Sequence, residues 1–245
     1  MLILIWLKDF IYFRLKKLFF HLGYDFKKLN TKIGHDPFKD INFILKYKSD
    51  PVVFDVGANT GQSITEIQNT FALASIHAFE PSPKAFSELS KNFPEKSITS
   101  LKLNCTGLGA EAGEFTFFEN ASSDMSSFLP PGKKNWSRLD HTLKLKIQTL
   151  DHYCTEQNIK KINLLKIDTQ GYEFEILKGA KNMLTDGNID LILMEIIFSE
   201  MYVGIPPFDQ IYSFLTSHGY KLVTFYQQHY QKDMLSWTDA LFKKD

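Results

Sequence analysis

The sequence predicts a doubly wound α/β protein, because strand-like apolar runs alternate with helix-like segments over most of its 245 residues. The helix-like segments cover residues 62–71, 83–92, 172–184 and 208–218. Such alternation is typical of a parallel sheet with helices on both faces. The strand-like runs are VVFDV, SIHAFE, ITSLKL, NLLKID, DLILMEI, YKLVTFY and TDALF.

Between the third and fourth runs the alternation stops. Two further strand-like runs, GEFTFFEN and TLKLKIQTL, flank the polar stretch ASSDMSSFLPPGKKNW. We expect a small β insertion whose loop lies over the edge or mouth of the sheet, since loops of this length are often functional.

Composition is that of an ordinary globular protein, with 44% hydrophobic and 23% charged residues. The 28 basic and 28 acidic side chains cancel, so we expect no general attraction to nucleic acid. Cys105 and Cys154 lack the spacing of metal ligands and make a disulfide framework improbable. We therefore expect a cytoplasmic protein, with membrane association left open by its N-terminus.

The N-terminus forms a helical extension, which we place at residues 1–49, ahead of a main domain at 50–245. Its first 24 residues are apolar and aromatic but carry charges, so neither a membrane-spanning helix nor a signal peptide fits. We expect an amphipathic helix that packs on the domain or on a second subunit. A basic, aromatic helix lying on a membrane surface is the alternative. The interrupting charges are Lys8, Asp9, Arg14, Lys16 and Lys17.

Ligands of open α/β sheets bind at the C-terminal ends of the strands, so the residues there are the candidate site. In chain order, five strand ends present Asp55, Gly57, Asn59 and Gly61; Glu80; Asn104 to Thr106; Asp168 to Gly171; and Glu195.

The first strand end argues against a dinucleotide. A dinucleotide site needs G-x-G-x-x-G, but Gly57 is followed by Asn59 and Gln62 at the second and third positions. Asp55 would repel a pyrophosphate and suits an ammonium, whereas Glu80 can accept hydrogen bonds from both ribose hydroxyls. S-adenosylmethionine, which carries an ammonium, a sulfonium and no phosphate, therefore fits better than NAD, and an NAD-linked oxidoreductase is the disfavoured alternative.

Five motifs in order, FDVGANTGQ, HAFEPSP, LLKIDTQGYEFEILKGA, LILMEI and DALF, resemble the FkbM family of S-adenosylmethionine-dependent methyltransferases. The resemblance covers residues 50–243. It implies a Rossmann-like sheet of seven strands with the last antiparallel, and O-methylation, commonly of sugar hydroxyls or polyketide-type metabolites. It also places the serine pair Ser126 and Ser127 at the mouth of the substrate or cofactor site.

Together the strand ends and these motifs predict a set of cofactor-binding residues. Cys105 is included by position, although packing is its simpler interpretation. The set is Asp55, Gly57, Asn59, Gly61, Gln62, Glu80, Pro81, Ser82, Asn104, Cys105, Thr106, Ser126 and Asp168.

A sugar hydroxyl is a weak nucleophile, so methyl transfer to it benefits from a general base. The candidate catalytic residues are Asp168, Glu195 and Glu173, with the first two preferred. Asp168 can bind the methionine ammonium, act as base, hold a metal or merely cap the next helix. Glu173 lies in the first turn of that helix, where a negative charge is favourable in any case. Glu195 ends an apolar strand, where a lone carboxylate is costly without a role.

The histidines are weaker candidates. His77 falls inside the second strand and is expected in the core, whereas His141 and His152 flank the second strand of the insertion and are not expected to be catalytic.

Two further alternatives remain open at this point. A divalent cation bridging Asp168 and Glu195 would make methyl transfer metal-assisted, although we predict no metal. A cofactor-binding scaffold without turnover would use its aromatic N-terminus to recruit a partner. The favoured acceptor is a saccharide or another small molecule.

Overall fold

The computed structural model describes residues 2–24, 32–94 and 100–245, with side chains from residue 10 onwards in these ranges. The chain divides into two compact units, Met1–Ile33 and Gly34–Asp245. By this division residues 34–49 group with the main domain rather than with the N-terminal extension.

The smaller unit contains helix α1 (Leu2–His21), as the sequence predicts. The helix ends in a turn in which Leu22 N and Tyr24 N donate to the carbonyl oxygen of Phe19, and Gly23 adopts a φ of +83°. Large apolar side chains on its described part are exposed, among them Phe13 at 67% and Phe20 at 71%. No helix in the described residues is long and apolar enough to cross a membrane.

The larger unit alternates strands with helices. Its described strands are β1 (Val52–Val56), β2 (Ser75–Phe79), β3 (Leu101–Asn104), β4 (Gly107–Leu108), β5 (Gly113–Asn120), β6 (Leu139–Gln148), β7 (Ile162–Ile167), β8 (Ile189–Ile197), β9 (Tyr220–Gln231) and β10 (Met234–Lys244). Its described helices are α2 (Pro37–Ile44), α3 (Gln62–Thr70), α4 (Pro83–Asn92), α5 (Leu150–Glu156), α6 (Glu173–Lys178), α7 (Lys181–Thr185) and α8 (Phe208–Ser217).

Seven of the described strands form the main sheet, in the order β3-β2-β1-β7-β8-β10-β9. The pairs from β3 to β8 are parallel, whereas β10 runs antiparallel to both β8 and β9. This confirms the predicted Rossmann-like, doubly wound sheet with an antiparallel last strand. Strand β7 is buried along its whole length, as expected for the centre of a sheet covered on both faces.

Alternate residues of the central strands bury on opposite faces of the sheet. Phe54 and Leu165 belong to one hydrophobic cluster, and their chain neighbours Val53 and Leu164 belong to another. Because successive side chains of a strand point to opposite faces, the continuous apolar runs in the sequence supply both cores at once.

Local capping signals mark the start of two described helices, α4 and α2. Helix α4 begins at Pro83, and the hydroxyl of Ser82 accepts a hydrogen bond from Ala85 N at 3.2 Å. Helix α2 starts in the same way, with Asp36 accepting from Lys39 N at 3.1 Å. Helices α2 and α5 are short and were not predicted.

The prediction of a single helix over residues 172–184 is wrong, because this segment forms two helices, α6 and α7. A Cβ atom on Gly179 would lie 1.9 Å from the backbone oxygen of Gly109, so the chain touches the start of the insertion here. Helix α7 then begins anew, with the carboxylate of Asp151 accepting from Asn182 N and Met183 N at 2.8 and 3.0 Å. A tertiary contact and a distant cap therefore override the helical pattern.

The insertion forms a separate sheet in which β6 pairs antiparallel with β5 and parallel with β4. This confirms the predicted β insertion, although β4 was not anticipated. Residues 121–138, called the insert loop from here on, join β5 to β6 and contain a short 3-10 helix, Ser123–Met125. Isolated bridges fix the loop by pairing Phe118 with Ser127 and Pro131 with Tyr202.

Gly57 brings the ends of β1 and β7 into backbone contact. It has a φ of +83°, and a Cβ atom on it would lie 1.9 Å from the backbone oxygen of Asp168. Asp168 N in turn donates to the carbonyl oxygen of Val56 at 3.0 Å. Both the positive φ and the missing side chain are therefore required at this position.

We expect Gly57→Ala to lower the free energy of unfolding more than Gly204→Ala does. Both glycines have positive φ, +83° and +89°, but nothing lies within 4 Å of a Cβ atom at Gly204. The left-handed backbone costs each alanine roughly 1–2 kcal/mol, and the backbone clash should add about 1–3 kcal/mol at Gly57 alone. Urea denaturation followed by circular dichroism measures both variants, and equal losses would contradict the assigned contact.

Candidate active site

Residues from four strand ends meet at one edge of the main sheet. Gly57 follows β1, Glu80 follows β2, Asp168 follows β7, and Glu195 lies near the end of β8. Since these strands are parallel, their C-terminal ends face the same edge. Two cavities open there, and Gly57 lines both.

The first, called the Glu80 cavity, has a volume of about 40 Å³. Four other predicted cofactor residues line it: Glu80, Pro81, Thr106 and Ser126. The rest of its wall is mainly apolar and aromatic, as is typical of a small-molecule site. This part of the wall includes Leu108, Phe117, Phe128 and Tyr172.

The carboxylate of Glu80 is buried and held by two backbone donors. Asn59 N donates to Oε2 at 2.9 Å, and Ser82 N donates to Oε1 at 2.8 Å. Burial raises the pKa of Glu80 to about 7, although the two N–H groups favour the ionised form. The hydrogen-bond acceptor that the sequence predicts at this strand end is therefore a carboxylate whose orientation is fixed by two backbone N–H groups.

Ser82 lies behind this cavity rather than in its lining. Its hydroxyl caps α4 and donates to Oε1 of Glu119, whose Oε2 lies 2.9 Å from His141 Nε2. The sequence predicts that Ser82 contacts the cofactor, but Ser82 does not line the cavity. It instead supports Glu80 through its backbone N–H.

At the end of β3, the structure separates three neighbours that were predicted together. Thr106 lines the Glu80 cavity, but Asn104 turns its amide to the carbonyl oxygen of Ala78 at 3.0 Å. Cys105 is exposed and does not line the cavity. Of the three cofactor-binding residues predicted at this strand end, Thr106 alone lines the cavity.

The second cavity, called the Glu195 cavity, has a volume of about 320 Å³. Besides Gly57, the predicted residues Asn59, Gln62, Asp168 and Glu195 line it. Asp168 is 46% exposed in its side chain, whereas Glu195 is only 8% exposed. The preferred catalytic pair therefore shares one cavity, with one carboxylate accessible and one nearly buried.

The side chain of Gln170 connects that pair. Its Nε2 donates to Asp168 Oδ1 at 3.1 Å and to Glu195 Oε2 at 3.0 Å. Its Oε1 accepts from the Tyr202 hydroxyl at 2.9 Å, which fixes the orientation of the amide. Gln170 also has a φ of +59°, an uncommon conformation outside glycine. Gln170 therefore combines an unusual backbone conformation with a side chain that three hydrogen bonds hold between the two carboxylates.

Glu195 is poised to take up a proton. Burial, together with the charges of Asp168, Glu173 and Asp239, raises its pKa well above the ordinary range. A carboxylate with a raised pKa is a stronger base once it is ionised, which is the property that a general base needs.

Asp55 faces an ammonium of the protein itself. It is fully buried, lines neither cavity, and lies 3.3 Å from Lys166 Nζ. Burial disfavours the charged form of Lys166, but Asp55, Asp168 and Asp239 outweigh this and raise its pKa. The structure thus does not bring Asp55 to the surface where a cofactor ammonium would bind.

Glu173 is likewise turned inward. Its Oε1 accepts from Thr169 N at 2.8 Å, Thr169 Oγ1 at 3.1 Å and Gly171 N at 3.2 Å. Burial raises its pKa to about 7, although these backbone donors favour the ionised form. It lines neither cavity, so its arrangement is that of a carboxylate that shapes the turn after β7.

The insert loop closes the site from above the sheet edge. Ser126 lines the Glu80 cavity, while the hydroxyl of Ser127 donates to the carbonyl oxygen of Gln170 at 2.8 Å. Ser123 donates to Asn59 Oδ1 at 3.1 Å. Gly61, in contrast, packs against Phe93 at the start of α3 and lines neither cavity.

The histidines lie outside this arrangement, as predicted. His77 contacts the hydroxyl of Tyr153 at 2.8 Å, and burial, followed by Lys102, lowers its pKa to about 4. His141 pairs with Glu119, and His152 lies 3.3 Å from Glu156. Neither cavity lining includes a histidine among the described residues.

In the metal-assisted alternative, a cation would bridge Asp168 and Glu195. Within residues 10–24, 32–94 and 100–245, no three His, Cys, Asp or Glu side chains are grouped to hold a metal ion. The neutral amide of Gln170 lies between the two carboxylates and donates a hydrogen bond to each.

Sequence reasoning placed Gln170 among the strand-end residues without giving it a role, and it missed Lys166 and Tyr202. Gln170 stands inside the quoted DTQGYE segment, so a polar side chain at a strand end was a usable signal for it. Tyr202 carries no such signal, because it reaches the site from the segment after β8 through contacts that only the fold reveals.

Comparison with known proteins gives a family. The Methyltransferase FkbM domain matches residues 55–222, which confirms the resemblance carried by the five motifs. The 2-O-methyltransferase NoeI of Sinorhizobium fredii is 26% identical over 199 residues, covering 77% of this chain and 79% of that protein. The hexuronic acid methyltransferase AglP of Haloferax volcanii is 28% identical over 162 residues, covering 66% of this chain but 60% of that protein.

A solved structure agrees on the fold. The methyltransferase FkbM from Methylobacillus flagellatus KT superposes with a TM-score of 0.52 at 12% identity. The superposition covers 80% of this chain and 44% of that one, so the chain spans less than half of the neighbour's length.

Proposed function

Because the chain belongs to the FkbM methyltransferase family, whose methyl donor is S-adenosylmethionine, we propose that it methylates a hydroxyl oxygen of a sugar or related small metabolite. Two relatives are named a 2-O-methyltransferase and a hexuronic acid methyltransferase, which supports a saccharide acceptor. The observation that carries the proposal is that Gly57 lines two cavities. Glu80 lines one of them, and Asp168 and Glu195 line the other.

The residues present fit the cofactor. Glu80 offers buried carboxylate oxygens to a ribose diol, and the apolar wall beside it suits a flat base. On the other side of Gly57, Asp168 offers an accessible carboxylate to the methionine ammonium. Acidic groups at both positions suit a donor that carries positive charge and no phosphate.

Methyl transfer requires little from the protein beyond alignment and a proton acceptor. When bound, S-adenosylmethionine would supply an electrophilic methyl carbon, whose bond to the sulfonium sulfur breaks and leaves a neutral thioether. We assign Glu195 to accept the proton of the acceptor hydroxyl as its oxygen gains the methyl group. Gln170 and Tyr202 orient that carboxylate, and the insert loop limits the access of water.

For the cofactor site, we expect Glu80→Gln to weaken binding of S-adenosylmethionine. Hydrogen bonds to a charged group contribute about 1.5–3 kcal/mol, so the Kd should rise roughly 10- to 100-fold. Glu119→Gln is the matched control, because Glu119 is a buried carboxylate nearby that lines neither cavity. Calorimetry on both variants checks this, and an unchanged Kd for Glu80→Gln would sink the assignment.

For the base, we expect Glu195→Gln to lower turnover about 100-fold or more, since general bases contribute 10²–10⁴, while the Kd of the cofactor stays unchanged. Only ionised Glu195 accepts a proton, and its pKa is raised, so wild-type kcat/KM should climb with pH above the ordinary glutamate range and then level off. Kinetics from pH 5 to 9 measure this rise, which the variant should lose. Asp168→Asn, by comparison, should damage both binding and turnover.

Full turnover by Glu195→Gln would remove this residue from the mechanism. Intact cofactor binding without turnover on any acceptor, by wild type as well, would favour the scaffold alternative.

We also propose that the protein works in the cytoplasm. Both cysteines are free thiols, Cys105 exposed and Cys154 buried. Free thiols persist most readily where the environment is reducing.

For the N-terminal extension, we propose that α1 packs on a second copy of the chain. Phe13, Leu18 and Phe20 are exposed large apolar side chains on one helix, and exposed apolar surface of this kind marks contact sites. A membrane that presents a lipid-linked acceptor is the alternative, which the basic residues of α1 would favour.

Replacing Phe13 and Phe20 with serine in the full chain should abolish the dimer and leave cofactor affinity intact. Met234→Ser is the control, because Met234 is equally exposed at 72% but lies on β10. Sedimentation velocity reads the association state. A wild-type monomer that binds anionic vesicles in a salt-sensitive way would contradict the dimer and support the membrane.

A further inference from the structure

Two tryptophan rings line the Glu195 cavity. Trp136 comes from the insert loop and Trp237 from β10, yet their ring centroids lie 5.4 Å apart with an interplanar angle of 35°. The fold thus assembles an aromatic wall from distant parts of the sequence, next to the carboxylate that we assign as base.

This wall is held in place from behind. Trp237 stacks on His229 with centroids 4.6 Å apart and an interplanar angle of 2°. Ahead of Trp136, Gly132 N and Lys134 N donate to the carbonyl oxygens of Met201 and Glu200 at 2.8 and 2.9 Å. The rings are therefore positioned before any ligand arrives, which lowers the cost of binding.

Exposure of Trp136 is the second observation. Its side chain is 56% exposed although it lies in a cavity wall with another indole. Singly exposed aromatic residues are common, but a paired and supported wall inside a polar cavity is the arrangement of a ligand site.

The charge of the Glu195 cavity wall limits which ligands can bind there. Of the described residues that line this cavity, Asp124, Asp168 and Glu195 are acidic and none is basic. Lys166 is buried and already paired with Asp55 and Asp168. A carboxylate or phosphate on the acceptor would therefore meet like charges without a cationic partner.

We propose that Trp136 and Trp237 form the acceptor subsite for a neutral pyranose ring, which packs its C–H face on the indoles while one hydroxyl reaches Glu195. Ring C–H bonds beside oxygen are slightly positive, and the face of an indole is negative. The inference rests on the proposed sugar acceptor and narrows it: the subsite rejects a hexuronic acid, the acceptor class in the name of one relative.

Saturation-transfer difference NMR on the full chain with S-adenosylhomocysteine tests this without turnover. The probes are neutral methyl pyranosides (gluco, manno, galacto and fuco) and methyl glucuronoside as the anionic counterpart. We expect signals on ring C–H protons of at least one neutral probe and a much weaker signal for the glucuronoside. Trp136→Ala should raise the Kd of the bound pyranoside about ten-fold, and Trp136→Phe should restore most of the affinity.

Tyr230→Ala is the matched control, because Tyr230 is an exposed aromatic on β9 that lies outside the cavity lining. Cofactor affinity measured on the same samples reports whether each variant is folded. A stronger signal for the glucuronoside, no signal for any neutral probe, or an unchanged Kd in Trp136→Ala would each overturn the subsite. Failure to bind S-adenosylmethionine would instead overturn the proposed function, and the sugar signals would still report on the subsite.

Discussion

The close approach of Gly57 to the backbone of Asp168 is the constraint on which the site depends. It joins the ends of β1 and β7, so the turn after one strand touches the turn after the other. Gly57 consequently lines both cavities. Any side chain at this point would push the two turns apart and separate the region around Glu80 from the region around Glu195.

Several acidic side chains lie close together around that contact, and the charge of each is compensated in a different way. Asp55 pairs with Lys166, Glu173 accepts hydrogen bonds from the turn after β7, and Glu195 shares the Gln170 amide with its neighbour. Only the last arrangement leaves a carboxylate at a cavity surface without an ammonium beside it. Burial and the neighbouring acidic charges, which together raise the pKa of Glu195, therefore also make its ionised carboxylate a stronger base.

How much of the structure can be predicted from the sequence depends on how far apart in the chain the interacting residues lie. The main sheet follows from local alternation, and Gly57 and Glu80 follow from residue types at strand ends. The break at Gly179 could not be predicted, because it arises from contact with Gly109, which is distant in the chain. Local patterns likewise could not separate Asp55, which faces Lys166, from Glu80, which faces a cavity.

The insert loop contributes side chains to both cavities. Its Ser126 lines the Glu80 cavity, whereas Asp124 and Trp136 line the Glu195 cavity. Between these residues, Ser127 donates to the backbone of Gln170, and the Tyr202 hydroxyl donates to the carbonyl oxygen of Met125. The loop is therefore tied to the amide that orients both carboxylates. Any displacement of the loop therefore changes the walls of both cavities together.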